Sequence, residues 1–144
     1  MITAVDANII LDILVGTPLD AEISSEALRR AKLSGQLITS AICYAEVSGN
    51  FSAQKHADDF FQMIGCEIEA IDKEIAFLAS VFYRSYRKRG GDRSRILPDF
   101  MVAAHAQLRA DRLLTRDKRF YGPTFPKLKT VSAADISTER SSKK

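Results

Sequence analysis

At 144 residues the chain is long enough for one domain burying roughly 68–70% of its unfolded surface, so folding requires neither disulfides nor a structural zinc. A composition of 46% hydrophobic and 27% charged residues excludes disordered, collagen-like and disulfide-scaffold classes. The net charge of +3 is unevenly placed: Arg84, Arg87, Lys88, Arg89, Arg93 and Arg95 stand within one short stretch against Asp92 alone, leaving the remainder slightly acidic.

In chain order, Ile2-Thr3-Ala4-Val5 reads as a buried strand ending at Asp6. This start lacks the basic region and long apolar core of a secretory leader, and no apolar run approaches the ~18 residues of a membrane span. A cytoplasmic location without membrane association is expected. Asn8 to Leu14 forms a short helix. Thr17-Pro18 then opens a longer helix that Gly35 ends, with Ile23, Ala27, Leu28 and Ala31 on its apolar face. Gln36 to Thr39 is a second strand, and Ser40 caps a helix from Ala41 to about Val47.

Ser52 is placed as the cap of a helix carrying Phe60, Phe61 and Ile64, followed by a short extended segment from Cys66 to Ile71. Asp72 opens a long helix that runs out in Arg87-Lys88-Arg89-Gly90-Gly91. Pro98 begins a compact helix rich in alanine, Arg112 to Thr115 is another strand, and Leu128 to Val131 the last. Strands alternating with helices predict an α/β fold, with a short parallel sheet covered on both faces. The domain is expected to span 1–133, followed by a polar tail over 134–144. Cys43 and Cys66 are expected as buried, unpaired thiols.

Four acids fall where such a sheet builds sites, beyond the carboxyl ends of its strands or on the helices that follow. Asp6 ends the first strand, and Glu46 shares a helix face with Ile42. Asp99 lies in the first turn of the Pro98 helix, and Asp117 follows the Leu113-Leu114-Thr115 strand. Each also has an ordinary structural role available: a helix cap for Asp6, the dipole of its own helix for Asp99, a buried arginine partner for Glu46, a turn contact for Asp117. Brought together, carboxylates ~4 Å apart would repel by about 4 kcal/mol per pair at an effective dielectric of 20, so a cluster takes up protons or binds a cation. Oxygen donors favour Mg²⁺, or alternatively Mn²⁺. The basic stretch suggests a polyanion partner, with a solvated helix end as the ordinary alternative. His56 and His105 form no zinc pattern, and no glycine-rich phosphate loop is present.

Val5-Asp6-Ala7-Asn8, Thr39-Ser40-Ala41 through Glu46, Leu97-Pro98-Asp99 through His105, and Leu114-Thr115-Arg116-Asp117-Lys118-Arg119-Phe120 resemble, in order and spacing, the motifs of PIN-domain nucleases, most closely the single-domain VapC toxins. The resemblance implies a three-layer α/β/α sandwich and a metal-dependent endoribonuclease. Asp6, Glu46, Asp99 and Asp117 would be the catalytic, metal-binding acids, and Asn8, Ser40 and Thr115 the polar side chains that orient them. It further implies cleavage to 5′-phosphate and 3′-hydroxyl ends and a VapB-like antitoxin partner; a homodimer is a separate expectation. The six cations from Arg84 to Arg95 would then contact RNA at the rim of an acidic site, with Tyr83, Tyr86 and Phe120 as candidate base-stacking rings beside their alternative role in the core. A partner groove is placed around Phe51–Ile64 and Phe77–Phe82, where core packing is the alternative. Other readings of the chain are a non-cleaving RNA- or protein-binding module, and a processing or DNA-directed nuclease with the same acidic site.

Overall fold

Five short segments pair as strands: β1 (Ile2–Val5), β2 (Gln36–Ser40), β3 (Cys66–Glu69), β4 (Arg112–Leu114) and β5 (Thr130–Val131). They are seen in a computed structural model that describes residues 1–138. All pair in parallel, in the order β3-β2-β1-β4-β5, with Ala4 in register with Ile38 on one side and Leu113 on the other. Successive strand residues point to opposite faces. Since Thr3, Ala4 and Val5 are all buried, as are Arg112, Leu113 and Leu114, both faces of the sheet are covered. The predicted α/β/α layering is therefore present.

The helices are α1 (Ala7–Val15), α2 (Pro18–Leu33), α3 (Ala41–Ser48), α4 (Gln54–Met63), α5 (Lys73–Lys88), α6 (Leu97–Arg109), α7 (Lys118–Thr124) and α8 (Ala133–Ser137). Thr17, Ser40 and Asp72 cap α2, α3 and α5 through side-chain oxygens, as their positions predict. Gly35 has φ +150°, and a Cβ there would stand 1.9 Å from the Met1 carbonyl oxygen. Only glycine lets β2 start against β1, where Gln36 N–H donates to that same carbonyl at 3.0 Å.

Several expectations are corrected. Residue 53, not Ser52, is the N-terminal cap of α4, and it makes no side-chain capping bond. Ile23 is exposed, and the buried position on that turn of α2 belongs to Ser24. No element is expected over 118–124, and the structure has a helix there despite Gly122 and Pro123, with Phe120 and Tyr121 folded into the core. The domain end expected at 133 is followed by α8, which packs on α2 with Ile136 fully buried. The rest of the expected polar tail, 139–144, lies outside the described residues.

Phe100 is fully buried, with the rings of Tyr83, Tyr86, Phe120 and Phe125 packed around it at centroid distances of 5.2 to 5.8 Å. Tyr86 and Phe120 are therefore core side chains rather than free stacking platforms. The cluster pins the first turn of α6, whose Asp99 precedes Phe100. Phe61 is likewise buried, and Phe51, Phe60 and Phe82 pack against the core, so of the expected partner groove only Phe77 and Met63 stand well exposed. Cys43 and Cys66 are buried free thiols. Among the described residues no helix is long and apolar enough to cross a membrane.

Candidate active site

Strand order reverses at β1: the chain winds outward through β2 and β3 on one side and through β4 and β5 on the other. The carboxyl ends of β1 and β4 meet there, which is the switch point where open α/β sheets form clefts. A cleft of about 180 Å³ opens at that point, lined by Asp6, Asn8, Glu46, Asp99 and Asp117, with Leu11, Pro98, Val102 and Tyr121 as its apolar walls. The four acids singled out in the sequence thus share one cavity, delivered by α1, α3, α6 and the turn after β4.

Asp6 is the buried member. Its Oδ1 accepts from the Ala7 N–H at 2.8 Å, capping α1, and its Oδ2 accepts from the Thr115 hydroxyl at 2.8 Å and the Asn8 amide at 3.4 Å. Burial pushes its carboxyl up to about 6 against those first two hydrogen bonds, and the charges of Glu46 and Asp117 push the same way. Glu46 stands at the cleft mouth, its carboxyl raised by loss of solvent and then by the charge of Asp99. Asp99 Oδ2 accepts from the Ile96 N–H at 3.0 Å, so it closes the first turn of α6 while lining the cleft. Cap and site residue are compatible roles for both aspartates.

Thr115 and Asn8 both stand beside Asp6 and donate to its Oδ2. The Thr115 hydroxyl donates to Asp6 and accepts from the Asp117 N–H at 2.9 Å, while Asn8 Oδ1 accepts from the Arg116 N–H at 3.2 Å. Ser40 differs: its hydroxyl accepts from the Cys43 N–H at 3.3 Å as a helix cap, and no hydrogen bond to the four acids is seen.

Of the six cations, Arg84, Arg87, Lys88, Arg89 and Arg93 are exposed on the end of α5 and the following loop. Arg87 donates to the Tyr83 hydroxyl and Arg89 to Ser85 Oγ, each at 2.9 Å. Arg95 is not a free rim cation: it donates to Asp117 Oδ2 at 2.7 Å. Sequence reasoning missed this pair. It also missed Asp12, a buried acid on α1 that accepts from Ser24 Oγ at 2.7 Å and from Arg116. The available signal was an acid within the apolar run Ile9–Leu14, one helical turn after Asn8. His105, buried, lies 2.9 Å from Glu69 Oε1, outside the cleft.

The donor set fits a hard divalent cation. All four acids offer oxygen, and the nearby Cys43 thiol, pushed up to about 12 chiefly by burial, stays protonated and offers no soft ligand. Among the described residues no three acidic, imidazole or thiol side chains are gathered tightly enough to enclose an ion. The reason is local: Asp6 is turned to Thr115, Asp99 to its own helix start and Asp117 to Arg95.

The PIN domain family model matches residues 3–125. No curated protein sequence matches the chain. Solved structures similar to it include VapBC2 from Rickettsia felis bound to a promoter DNA fragment (16% identity over 92% of this chain and 98% of that one, TM-score 0.70). VapBC-1 from nontypeable Haemophilus influenzae is similar at 19% identity, 93% and 99% coverage and TM-score 0.69. A toxin–antitoxin complex from Klebsiella pneumoniae is similar at 23% identity, 91% and 97% coverage and TM-score 0.62. At these identities the likeness is one of fold, and it is the family model, laid over most of the sequence and over the strands, helices and turns that deliver the four acids, that establishes the chain as a member of the PIN domain family.

Proposed function

We propose that the chain is a divalent-metal-dependent endoribonuclease, the toxin of a toxin–antitoxin pair. The observation that carries this reading is the convergence of Asp6, Glu46, Asp99 and Asp117 on one cleft in a PIN domain. A bound Mg²⁺ or Mn²⁺ would supply charge neutralisation at the phosphodiester and a more acidic water.

The chain's own residues supply the rest. Asp6 and Asp99 are the direct ligands in this reading, and Glu46 and Asp117 complete the oxygen set. Thr115 and Asn8 fix the Asp6 carboxylate through hydrogen bonds, restricting which lone pairs face the cleft. Leu11, Pro98 and Val102 limit water around the reacting phosphate. The exposed cations from Arg84 to Arg93 offset an acidic cleft that would otherwise repel RNA, holding phosphates on either side of the scissile one.

The similar VapBC and toxin–antitoxin structures support an antitoxin partner for this chain. A separate apolar groove of about 480 Å³, walled by Ile13, Leu28, Leu33, Met63 and Ile64, suits the apolar face of a partner helix. The test of the reading is direct. Purified protein, freed of any antitoxin, cleaves single-stranded RNA with Mg²⁺ or Mn²⁺ and stops with EDTA; RNA left intact under all metal conditions contradicts it. Matched single-stranded DNA in the same assay separates an RNA enzyme from a DNA-directed one.

A further inference from the structure

The six cations are not alike. Five are exposed at the end of α5 and in its loop, whereas Arg95 is half-buried in the acidic cleft's rim, its side chain 30% exposed and that of Asp117 32%. Its guanidinium carbon lies 4.0 Å from the Phe120 ring centroid, and Nη1 donates to Asp117 Oδ2 at 2.7 Å. Among the described residues, Asp117 alone of the four acids is ion-paired.

The placement is built by the loop that leads to it. Gly90 takes φ +77°, and a Cβ on Gly91 would stand 2.3 Å from the Tyr86 ring, so both positions require glycine to turn the chain tightly. Asp92 N–H donates to the Tyr86 hydroxyl at 2.9 Å, and its carboxylate accepts from Ser94 N–H at 2.9 Å. The Asp92 carbonyl then accepts from Arg95 N–H at 3.2 Å. Tyr86 and Phe120 both belong to the Phe100 cluster. Arg95 is therefore braced on the core at its backbone and at the face of its guanidinium.

We propose that Arg95 is a positioning residue, a built-in cation that holds Asp117 before metal binds and surrenders it when a phosphodiester takes the guanidinium. The inference rests on the divalent-ion reading of the cleft. Arg95 holds Oδ2 of Asp117 at 2.7 Å, which fixes how the carboxylate faces the cleft and offsets its charge, so Arg95 and the ion compete for Asp117. The guanidinium fork matches the two oxygens of a phosphodiester better than it matches the single carboxylate oxygen it now holds. A phosphate that engages Arg95 thereby releases Asp117, and ion binding and substrate binding reinforce each other reciprocally. Without a phosphate, one oxygen of Asp117 stays on Arg95 and the ion binds less tightly.

The test is Mn²⁺ affinity, read from the free-ion paramagnetic resonance signal, on the full chain and on Arg95→Gln, Arg95→Lys, Asp117→Asn and the Arg95→Gln/Asp117→Asn double variant, each checked for folding by circular dichroism. Arg95→Gln tightens Mn²⁺ binding roughly tenfold, by freeing Asp117 and removing a nearby positive charge. Arg95→Lys, which keeps the charge without the planar fork, gives a smaller gain. In the Asp117→Asn background only the small part due to the lost positive charge remains. Excess dimethyl phosphate tightens Mn²⁺ binding by the unaltered chain and leaves Arg95→Gln unchanged. Equal or weaker binding by Arg95→Gln, a gain just as large without Asp117, or no response to dimethyl phosphate overturns the proposal. If neither the unaltered chain nor Arg95→Gln binds Mn²⁺ at all, the divalent-ion reading itself falls, and the Arg95 proposal with it.

Discussion

Thr115 donates its hydroxyl to Asp6 across the β1–β4 pair at 2.8 Å while accepting the backbone N–H of Asp117 at 2.9 Å, so one buried side chain ties two of the four acids together. Replacing it with valine keeps the shape and removes both bonds. Thr115→Val is expected to lower stability by about 1–3 kcal/mol, because the Asp117 N–H loses its acceptor and Asp6 one of its donors. Metal affinity is expected to fall by roughly 10–100-fold, and Thr115→Ser to retain most of both. Urea denaturation and Mn²⁺ titration read the two effects separately.

Asp6 sets the pH dependence. Its carboxyl is raised from 3.8 to about 6, so the folded chain holds that proton more tightly than the unfolded chain does. Between these values the folded state binds more protons, and metal-free stability falls as pH rises from about 4 to 6, by about 3 kcal/mol from this group. A divalent ion reverses the trend, because it needs the carboxylate and competes with the proton. Thermal melts with EDTA should therefore show declining stability across that window, and melts with Mn²⁺ should not. Asp6→Asn should melt higher than the unaltered chain above pH 6 without metal, by about 1–2 kcal/mol after allowance for the disturbed Thr115 bond, and should bind no metal.

Arg116 and Asp12 form the second support of the site. Asp12 is buried on α1, whereas Arg116 is largely exposed and flanked by Thr115 and Asp117. The two partners are expected to respond unequally. Arg116→Ala leaves a buried carboxylate facing only Ser24, at an expected cost of about 2–3 kcal/mol; Asp12→Asn leaves a cation that water can still solvate, and costs less. The double variant should be more stable than Arg116→Ala alone. A double-mutant cycle in denaturant measures this, and equal costs for the two single changes would mean that the pair does not anchor the loop.

The exposed cations are expected to act on RNA affinity rather than on chemistry. Removing Arg84 and Arg93 together should flatten the dependence of log affinity on log salt by about 1.4, taking ~0.7 per phosphate contact on a single strand. Binding of a short RNA at several salt concentrations gives the slope directly, and an unchanged slope would remove these residues from the interface.

Much of this architecture was legible in the sequence because strand ends carry local signals. A β-branched run stopping at Asp6, the cap at Ser40 and the turn after Leu114-Thr115 each mark a carboxyl end of the sheet, and parallel order follows from alternation with helices. Pro98 likewise marks the start of α6 and places Asp99. What was not legible depends on burial or on contacts across the fold. No element is read over 118–124, where Gly122 and Pro123 stand, yet Phe120, Tyr121 and Phe125 bury enough surface to hold α7. Ser40 carries the right residue type for a carboxylate partner and spends its hydroxyl on the helix it caps. Arg95 is indistinguishable in sequence from its five neighbours; only the turn at Gly90-Gly91 and the ring of Phe120 bring it to Asp117, 22 residues away.

The central claim is that the convergent acids form one divalent-ion site used to hydrolyse RNA. Its most direct measurement is cleavage of a defined single-stranded RNA in Mg²⁺ by the unaltered chain, Asp6→Asn and Asp99→Asn, with the product ends identified by mass. The account predicts 5′-phosphate and 3′-hydroxyl ends from the unaltered chain and no cleavage by either folded variant. Full activity in Asp6→Asn or Asp99→Asn, or 2′,3′-cyclic phosphate ends formed without metal, would contradict it.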